Sequence, residues 1–336
     1  MRKVLLTTTA LVALGGVSAA SAIDISGNYQ FDYVTTTNSG ASADADNESN
    51  DTFGSDGLIS FSGATTSDAG LTFGAKVTMQ TNSTSGNQAV SVEDQGAYIS
   101  GDFGYIQLGQ TDGIIDIMDN HMHSGNIQET GNATTNSTVN SSSAISDSEG
   151  AGKIGYRSPE ISGFQLGLMA TDAGAGAAEN GDQSGFIINY DMGVAKIGFA
   201  QTKTGSASNT GADVTQTNYG LGTTLAGIGI NVGFGTDKTA GAAGVADTSK
   251  IDTRDVELTY SMDAVSLYAT NVSSEEKTGT NAGDKMTGTT LGLSYSLAPG
   301  VSAFVEHANT DYTDATSGGT NSDGRDMTQV TLSVSF

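Results

Sequence analysis

Met327-Thr328-Gln329-Val330-Thr331-Leu332-Ser333-Val334-Ser335-Phe336 alternates without a break. Thr328, Val330, Leu332, Val334 and Phe336 fall on one side of an extended chain, and Met327, Gln329, Thr331, Ser333 and Ser335 on the other. A period of two marks a β-strand with a single apolar face. The second face is polar and lacks the large side chains from which a dry core is built.

The device recurs throughout the chain. Leu291/Leu293/Tyr295, Val256/Leu258/Tyr260, Ile228/Ile230/Val232/Phe234, Phe164/Leu166/Leu168 and Tyr29/Phe31/Tyr33 all alternate with Ser, Thr, Asn, Gln, Gly or an acid (Asp32, Glu257). Between such segments the connections are alternately short, as at Ala226-Gly227, and long, polar and acidic. The long ones fall near 35–56, 80–89, 111–152, 171–184, 201–215, 235–252, 271–288 and 308–326. Tight turns on one side and long loops on the other are the organisation of a transmembrane β-barrel. A soluble sandwich would need large residues on the polar face, and no fixed-period repeat supports a solenoid. The pattern predicts an all-β fold, a 16-stranded antiparallel transmembrane barrel. Its strands fall near 25–34, 57–63, 70–79, 90–100, 103–110, 153–158, 163–170 and 185–191 in the first half. In the second half they fall near 194–201, 216–225, 228–235, 253–261, 264–270, 288–296, 301–307 and 327–336.

Composition agrees. Forty-six glycines oppose a helical bundle, since glycine is costly within helices. Arg2 and Lys3, the apolar run Val4–Val17 and Ala20-Ser21-Ala22 read as a signal peptide over 1–22, cleaved to leave a barrel over 23–336. Removing it leaves 11 basic against 37 acidic residues, a formal charge of −26. Such a chain lacks the basic footprint that nucleic acid requires. The absence of cysteine excludes disulfides and thiolate metal sites.

At three patches the sequence resembles the general diffusion porins of Gram-negative bacteria. Gly101-Asp102-Phe103-Gly104-Tyr105-Ile106-Gln107-Leu108-Gly109 is similar to the strand entering that family's constriction loop. Lys153-Ile154-Gly155-Tyr156-Arg157-Ser158-Pro159 is similar to the strand leaving it, and Phe336 ends an alternating strand. The resemblance implies a homotrimer in the cell outer membrane, in contact with its lipid, with one water-filled channel per subunit for ions and small hydrophilic solutes. It also implies that Phe336 belongs to the signal read by the barrel assembly machinery. Gln110 departs from the arginine such porins often carry there.

In that family the loop corresponding to 111–152 folds inward and narrows the pore. Here its first half holds Asp112, Asp116, Asp119 and Glu129, with Ile114, Ile115, Ile117 and Met118 between them. Apolar residues on such a loop are explained by packing against the inner wall; a surface helix or a subunit contact is the alternative. Strand parity turns Lys76, Lys153, Arg157 and Lys196 toward the lumen as basic wall residues, each an eyelet member or an ordinary lumen residue. Facing acids and bases create a transverse field across a pore. Asp32, Asp255, Glu257 and Glu306 share the lumen parity, so acids prevail and weak cation selectivity is expected.

No cofactor is expected. Asp44, Asp46, Glu48 and Asp51 offer oxygen ligands of the kind Ca²⁺ takes, but the spacing is not that of an EF-hand and a solvated acidic loop is the plainer reading. His121 and His123 form a weak metal pair. Two other functions compete: an adhesive or structural barrel whose acidic loops bind partners, and a barrel enzyme. Against the enzyme, only His307 lies on a strand, at the parity of Val305 and without a partner by spacing.

Overall fold

The computed structural model describes residues 23–40, 49–84, 87–119, 145, 152–172, 182–205, 212–241, 247–315 and 321–336. Sixteen strands account for nearly all of them. They are β1 Asp24–Gly40, β2 Ser49–Thr66, β3 Thr72–Thr84, β4 Asn87–Gly101, β5 Gly104–Gln110, β6 Gly152–Arg157, β7 Phe164–Asp172 and β8 Gln183–Asp191. The second half adds β9 Ala195–Thr204, β10 Val214–Leu225, β11 Ile228–Thr239, β12 Ser249–Met262, β13 Val265–Thr278, β14 Lys285–Ala298, β15 Val301–Asp314 and β16 Asn321–Ser335. Among the described residues there is one short helix, α1, which spans Ile114–Met118.

Each strand pairs antiparallel with its sequence neighbours, and β1 pairs with β16, so the sheet closes into a barrel. Closure removes the unpaired edges that lipid would not tolerate. The seam runs from Asn28↔Ser335 to Gly40↔Asp323. It is finished by Gly27 N–H donating to the Phe336 carbonyl at 2.9 Å and Phe336 N–H donating to the Gly27 carbonyl at 3.0 Å. The Phe336 ring lies over Gly27: a Cβ there would stand 2.5 Å from Phe336 Cζ.

Burial is inverted relative to a soluble protein. Leu168, Ile188, Val256, Leu258, Leu291, Val330 and Leu332 are exposed, whereas Thr202, Asn218, Thr290, Glu306 and Gln329 on the opposite parity are buried. The apolar face therefore points out to lipid and the polar face into the barrel, as the alternation predicts.

Every predicted strand is present, and most run further toward the loop end than the alternation indicated. β2 begins at Ser49 and β1 continues to Gly40, so much of the expected loop 35–56 is strand. Most of the expected loop 80–89 is strand as well, and 271–288 shrinks to 279–284. Beyond the apolar band both faces of a strand meet water, the hydrophobic period disappears, and the hydrogen-bond ladder continues without it. The opposite end is built of tight turns. Ala226 and Gly227 both have positive φ, 52° and 83°, the backbone of a two-residue hairpin turn whose twist matches that of the strands.

The wall is uneven. β5 and β6 have 7 and 6 residues, whereas β12 to β15 have 14 each. Segment 111–119 leaves from the low side of the rim.

Candidate functional site

The site is built from the point where β5 stops. Gly109 adopts φ 135°, and a Cβ there would strike the Gln95 carbonyl. Only glycine fits that bend. After Gln110 the chain turns into the barrel and forms α1.

Ile114, Ile115 and Met118 are buried against Met169, Ile187 and Ala200, with Ile145 in the same cluster. Met169 and Ile187 have the parity opposite to the lipid-facing Leu168 and Ile188, so this cluster lies on the inner wall. Three glycines make room for it. A Cβ on Gly155 would run into Ile114 Cγ1, one on Gly167 would come within 2.7 Å of Met118 Sδ, and one on Gly185 within 2.7 Å of Ile115 Cδ1. These glycines stand on β6, β7 and β8 and form a flat seat for the helix. A glycine inside a strand otherwise weakens it, and close approach of a second backbone is the usual compensation.

Polar contacts hold both ends of the segment. Gln107 Nε2 donates to the Asp112 carbonyl, and Lys153 Nζ donates to the Thr111 carbonyl. At the far end Asn189 Nδ2 donates to the Met118 carbonyl at 2.7 Å, satisfying a group that a helix C-terminus leaves without an internal partner. With its apolar side against the wall, α1 turns Asp116 toward the lumen, and Asp112 is likewise exposed. Asp119 is buried, only 6% exposed, and so is less available to a passing ion than the sequence implies. Glu129 lies outside the described residues, as do Asp44, Asp46, Glu48, His121 and His123. Among the described residues no group of three or more His, Asp or Glu could hold a metal ion.

The four basic residues all take the lumen parity and then separate. Lys76, Gly96, Gly109 and Lys153 lie on one register line across β3 to β6, which reaches the start of the inward segment. Lys76 Nζ stands 3.7 Å from Asp94 Oδ2. Lys153 is 6% exposed and acts as a tether for Thr111 rather than as a solvated wall charge. Arg157 sits lower, at the turn end of β6, with its guanidinium 5.2 Å from the centre of the Tyr105 ring. Tyr105 stacks in turn on Tyr98 at 5.2 Å, and Tyr98 covers Gly74. Lys196 is beside the β8–β9 turn, 3.4 Å from Asp191, and is not part of the site.

The other lumen acids are engaged with the wall. Asp32 accepts from Gln329 Nε2 at 3.0 Å and from the Thr331 hydroxyl. Glu257 accepts from Asn231 Nδ2 at 3.0 Å, and the Tyr268 hydroxyl donates to the buried Glu306. His307 points outward, with Nδ1 3.0 Å from the Thr328 hydroxyl. The sequence reading missed Gln107, Asn189 and the three seat glycines. The glycines carried a readable signal, since all three interrupt strands at lumen parity.

A family model described as Gram-negative porin matches residues 7–315. No curated protein matches the chain. Among solved structures, Salmonella typhi OmpF in complex with daunomycin is 15% identical over 94% of this chain and 98% of its own, with a TM-score of 0.69. The anion-selective porin from Comamonas acidovorans is 13% identical, covering 94% of this chain and 100% of its own, with a TM-score of 0.67. In vitro folded OmpT from Vibrio cholerae, in its trimer form, is 16% identical over 95% and 100%, with a TM-score of 0.67. At such identities the likeness is one of fold.

Proposed function

The chain belongs to the Gram-negative porin family, and from that premise we propose that segment 111–119 constricts its channel and makes it weakly cation-selective. It is a multi-pass β-barrel of the outer membrane of a Gram-negative bacterium, a channel for diffusion. The observation that carries the proposal is α1 seated on the inner wall with Asp112 and Asp116 turned away from that wall. Lys76 and Lys196 each have an acid within 4 Å, and Lys153 is buried at a carbonyl, so the basic side of the field is weakened. A lumen with exposed acids concentrates cations.

Three further parts of the proposal rest on the sequence or on relatives. The functional unit is a homotrimer, supported by the trimer form of the Vibrio cholerae neighbour. Residues 1–22 are removed on export, supported by the charge, apolar run and small-residue site described above. Phe336 is read by the assembly machinery, and the short-turn end faces the periplasm. We assign the protein no catalysis.

The test is conductance of the refolded protein in a planar bilayer across a salt gradient. Stepwise ohmic increments with a reversal potential on the cation side are expected. An anion-side reversal potential overturns the selectivity, and folded barrels that do not conduct overturn the channel.

A further inference from the structure

Among the described residues ten buried side-chain atoms have no hydrogen-bond partner, and four of them belong to one patch of the inner wall. They are Thr270 Oγ1, Thr290 Oγ1, Glu306 Oε1 and Gln329 Oε1, on the consecutive strands β13 to β16. Register puts them side by side. Thr270 is paired with Thr290, and Glu306 with Gln329. Gly292, the next inward residue of β14 after Thr290, is paired with Glu306. All four residues are at most 4% exposed, whereas Leu291, Val305 and Val330 on the other face of the same strands are exposed.

Paired residues on neighbouring strands have Cβ atoms about 4.5–5.5 Å apart, so these side chains share one neighbourhood. Gly292 leaves room between them. The Tyr268 ring lies over it: a Cβ there would stand 2.2 Å from Tyr268 Cζ. The Tyr268 hydroxyl donates to Glu306 Oε2, which leaves Oε1 as the orphan. On the other flank Gln329 Nε2 donates to Asp32 Oδ1 and to the Thr331 hydroxyl, both at 3.0 Å. Its amide oxygen is the end left over.

Every orphan is an oxygen. The two threonine hydroxyls are able to donate, yet neither makes a bond to the carboxylate or to the amide. Buried polar groups are almost always satisfied, so four adjacent exceptions call for one common partner lying between them.

That partner has to be positive. Glu306 has no ion pair among the described residues. Arg325, the inward cation of β13–β16 among them, is four residues along β16 from Gln329, about 13 Å away. Asp32 adds a second acid beside the patch. A carboxylate taken out of water without a counter-charge is strongly unfavourable.

The ligand types set the class of ion. One carboxylate with two hydroxyls and an amide oxygen balances a single positive charge. Neutral oxygens of this kind replace the hydration shell of an alkali cation. Calcium draws on more oxygens, carboxylates among them, and magnesium retains several waters. Transition metals favour imidazole and thiolate, which the patch lacks. Three of the four ligands are neutral, so the patch is not a cluster of acids and histidines.

We propose that Thr270, Thr290, Glu306 and Gln329 hold a dehydrated monovalent alkali cation within the barrel wall. In a ring of sixteen strands β14–β16 stand eight places from β6–β8, so the ion sits across the lumen from α1. It neutralises Glu306 there and ties together four strands that include the closing strand β16. The ion is a fixed part of the wall, distinct from the passing ions of the selectivity reading.

The test is the thermal unfolding midpoint of the refolded barrel in Na⁺, in K⁺ and in N-methylglucamine, all at one ionic strength. A ligand held by the folded state alone raises the midpoint with its concentration. Na⁺ or K⁺ should raise it above the value in N-methylglucamine, by about 2–4 °C for each tenfold increase in concentration. Glu306→Gln should fold and lose this dependence, and Thr290→Val should weaken it. Asp112→Asn with Asp116→Asn should keep it while moving the reversal potential, which separates a failure here from a failure of the selectivity reading. Crystals grown in Rb⁺ should show an anomalous peak between Glu306 and Thr290 that Glu306→Gln removes. Equal midpoints in the three salts overturn the proposal, as does a dependence unchanged in Glu306→Gln. Density at the site without anomalous signal means a buried water and overturns it as well. Stabilisation by Ca²⁺ with none from Na⁺ or K⁺ overturns the monovalent assignment.

Discussion

Ile114 Cγ1 occupies the space a Cβ on Gly155 would need. The inward helix and the strand beneath it are fitted to within less than one methyl group. Adding volume to such a contact costs about 1–3 kcal/mol and forces one partner to move. Because β6 is held by β5 and β7 while α1 is a single turn, α1 should yield. Gly155→Val is therefore expected to push α1 into the lumen and lower single-channel conductance while the barrel remains heat-modifiable. Unchanged conductance from a folded variant would contradict the seat.

The exposed acids give a second test. Asp112→Asn with Asp116→Asn should move the reversal potential toward the anion side, more strongly in dilute salt, where screening is weaker. Asp191→Asn, beside Lys196 at the turn end, should move it less. If the Asp191 change had the larger effect, the filter would lie at the other mouth.

A third expectation concerns the tether. Lys153→Met removes the donor to the Thr111 carbonyl and leaves that acceptor without it, a loss of about 1–3 kcal/mol for a charged hydrogen bond. The predicted readout is noisier open-channel current, as the start of the segment fluctuates, with little change in mean conductance. A steady trace indistinguishable from wild type would argue against the tether.

Closure supplies the fourth. Phe336→Ala keeps both backbone hydrogen bonds to Gly27 and should still fold into lipid vesicles in vitro, whereas its yield in cells should fall if the side chain is a recognition signal. Gly27→Val displaces the ring and should lower the folded fraction in both settings. Gel mobility with and without heating reads both. Normal cellular yield for Phe336→Ala would remove the signal role.

Strand number, closure and the facing of almost every side chain were legible, because lipid on one side and water on the other write a period of two into the sequence. The signal lasts only as long as the apolar band. Asn309, Thr310 and Asp311 on β15 look like loop for that reason, although each is paired with β16. At the site, parity turned Lys153 inward correctly but said nothing of its burial, since its partner is a backbone carbonyl 42 residues earlier. Lys196 was grouped with the wall because parity gives the side of the sheet and not the height. The inward course of 111–119 was suggested by Ile114, Ile115 and Met118, yet its landing place depends on glycines whose meaning appears only when three strands are side by side.

The pairing of β1 with β16 bears on how the barrel comes into being. Asn28 and Ser335 are neighbours in the sheet and 307 residues apart along the chain. Every other adjacent pair joins strands consecutive in the sequence, most of them across a short connection and β5 with β6 across 111–151, whereas this one joins the two most distant elements. Until β16 exists, any partial sheet has two raw edges and a lipid-seeking face with no lipid, the combination most prone to aggregate. A partly made barrel is thus not a smaller barrel but a hazard, and the chain must be shielded in transit until its final pairing completes the ring.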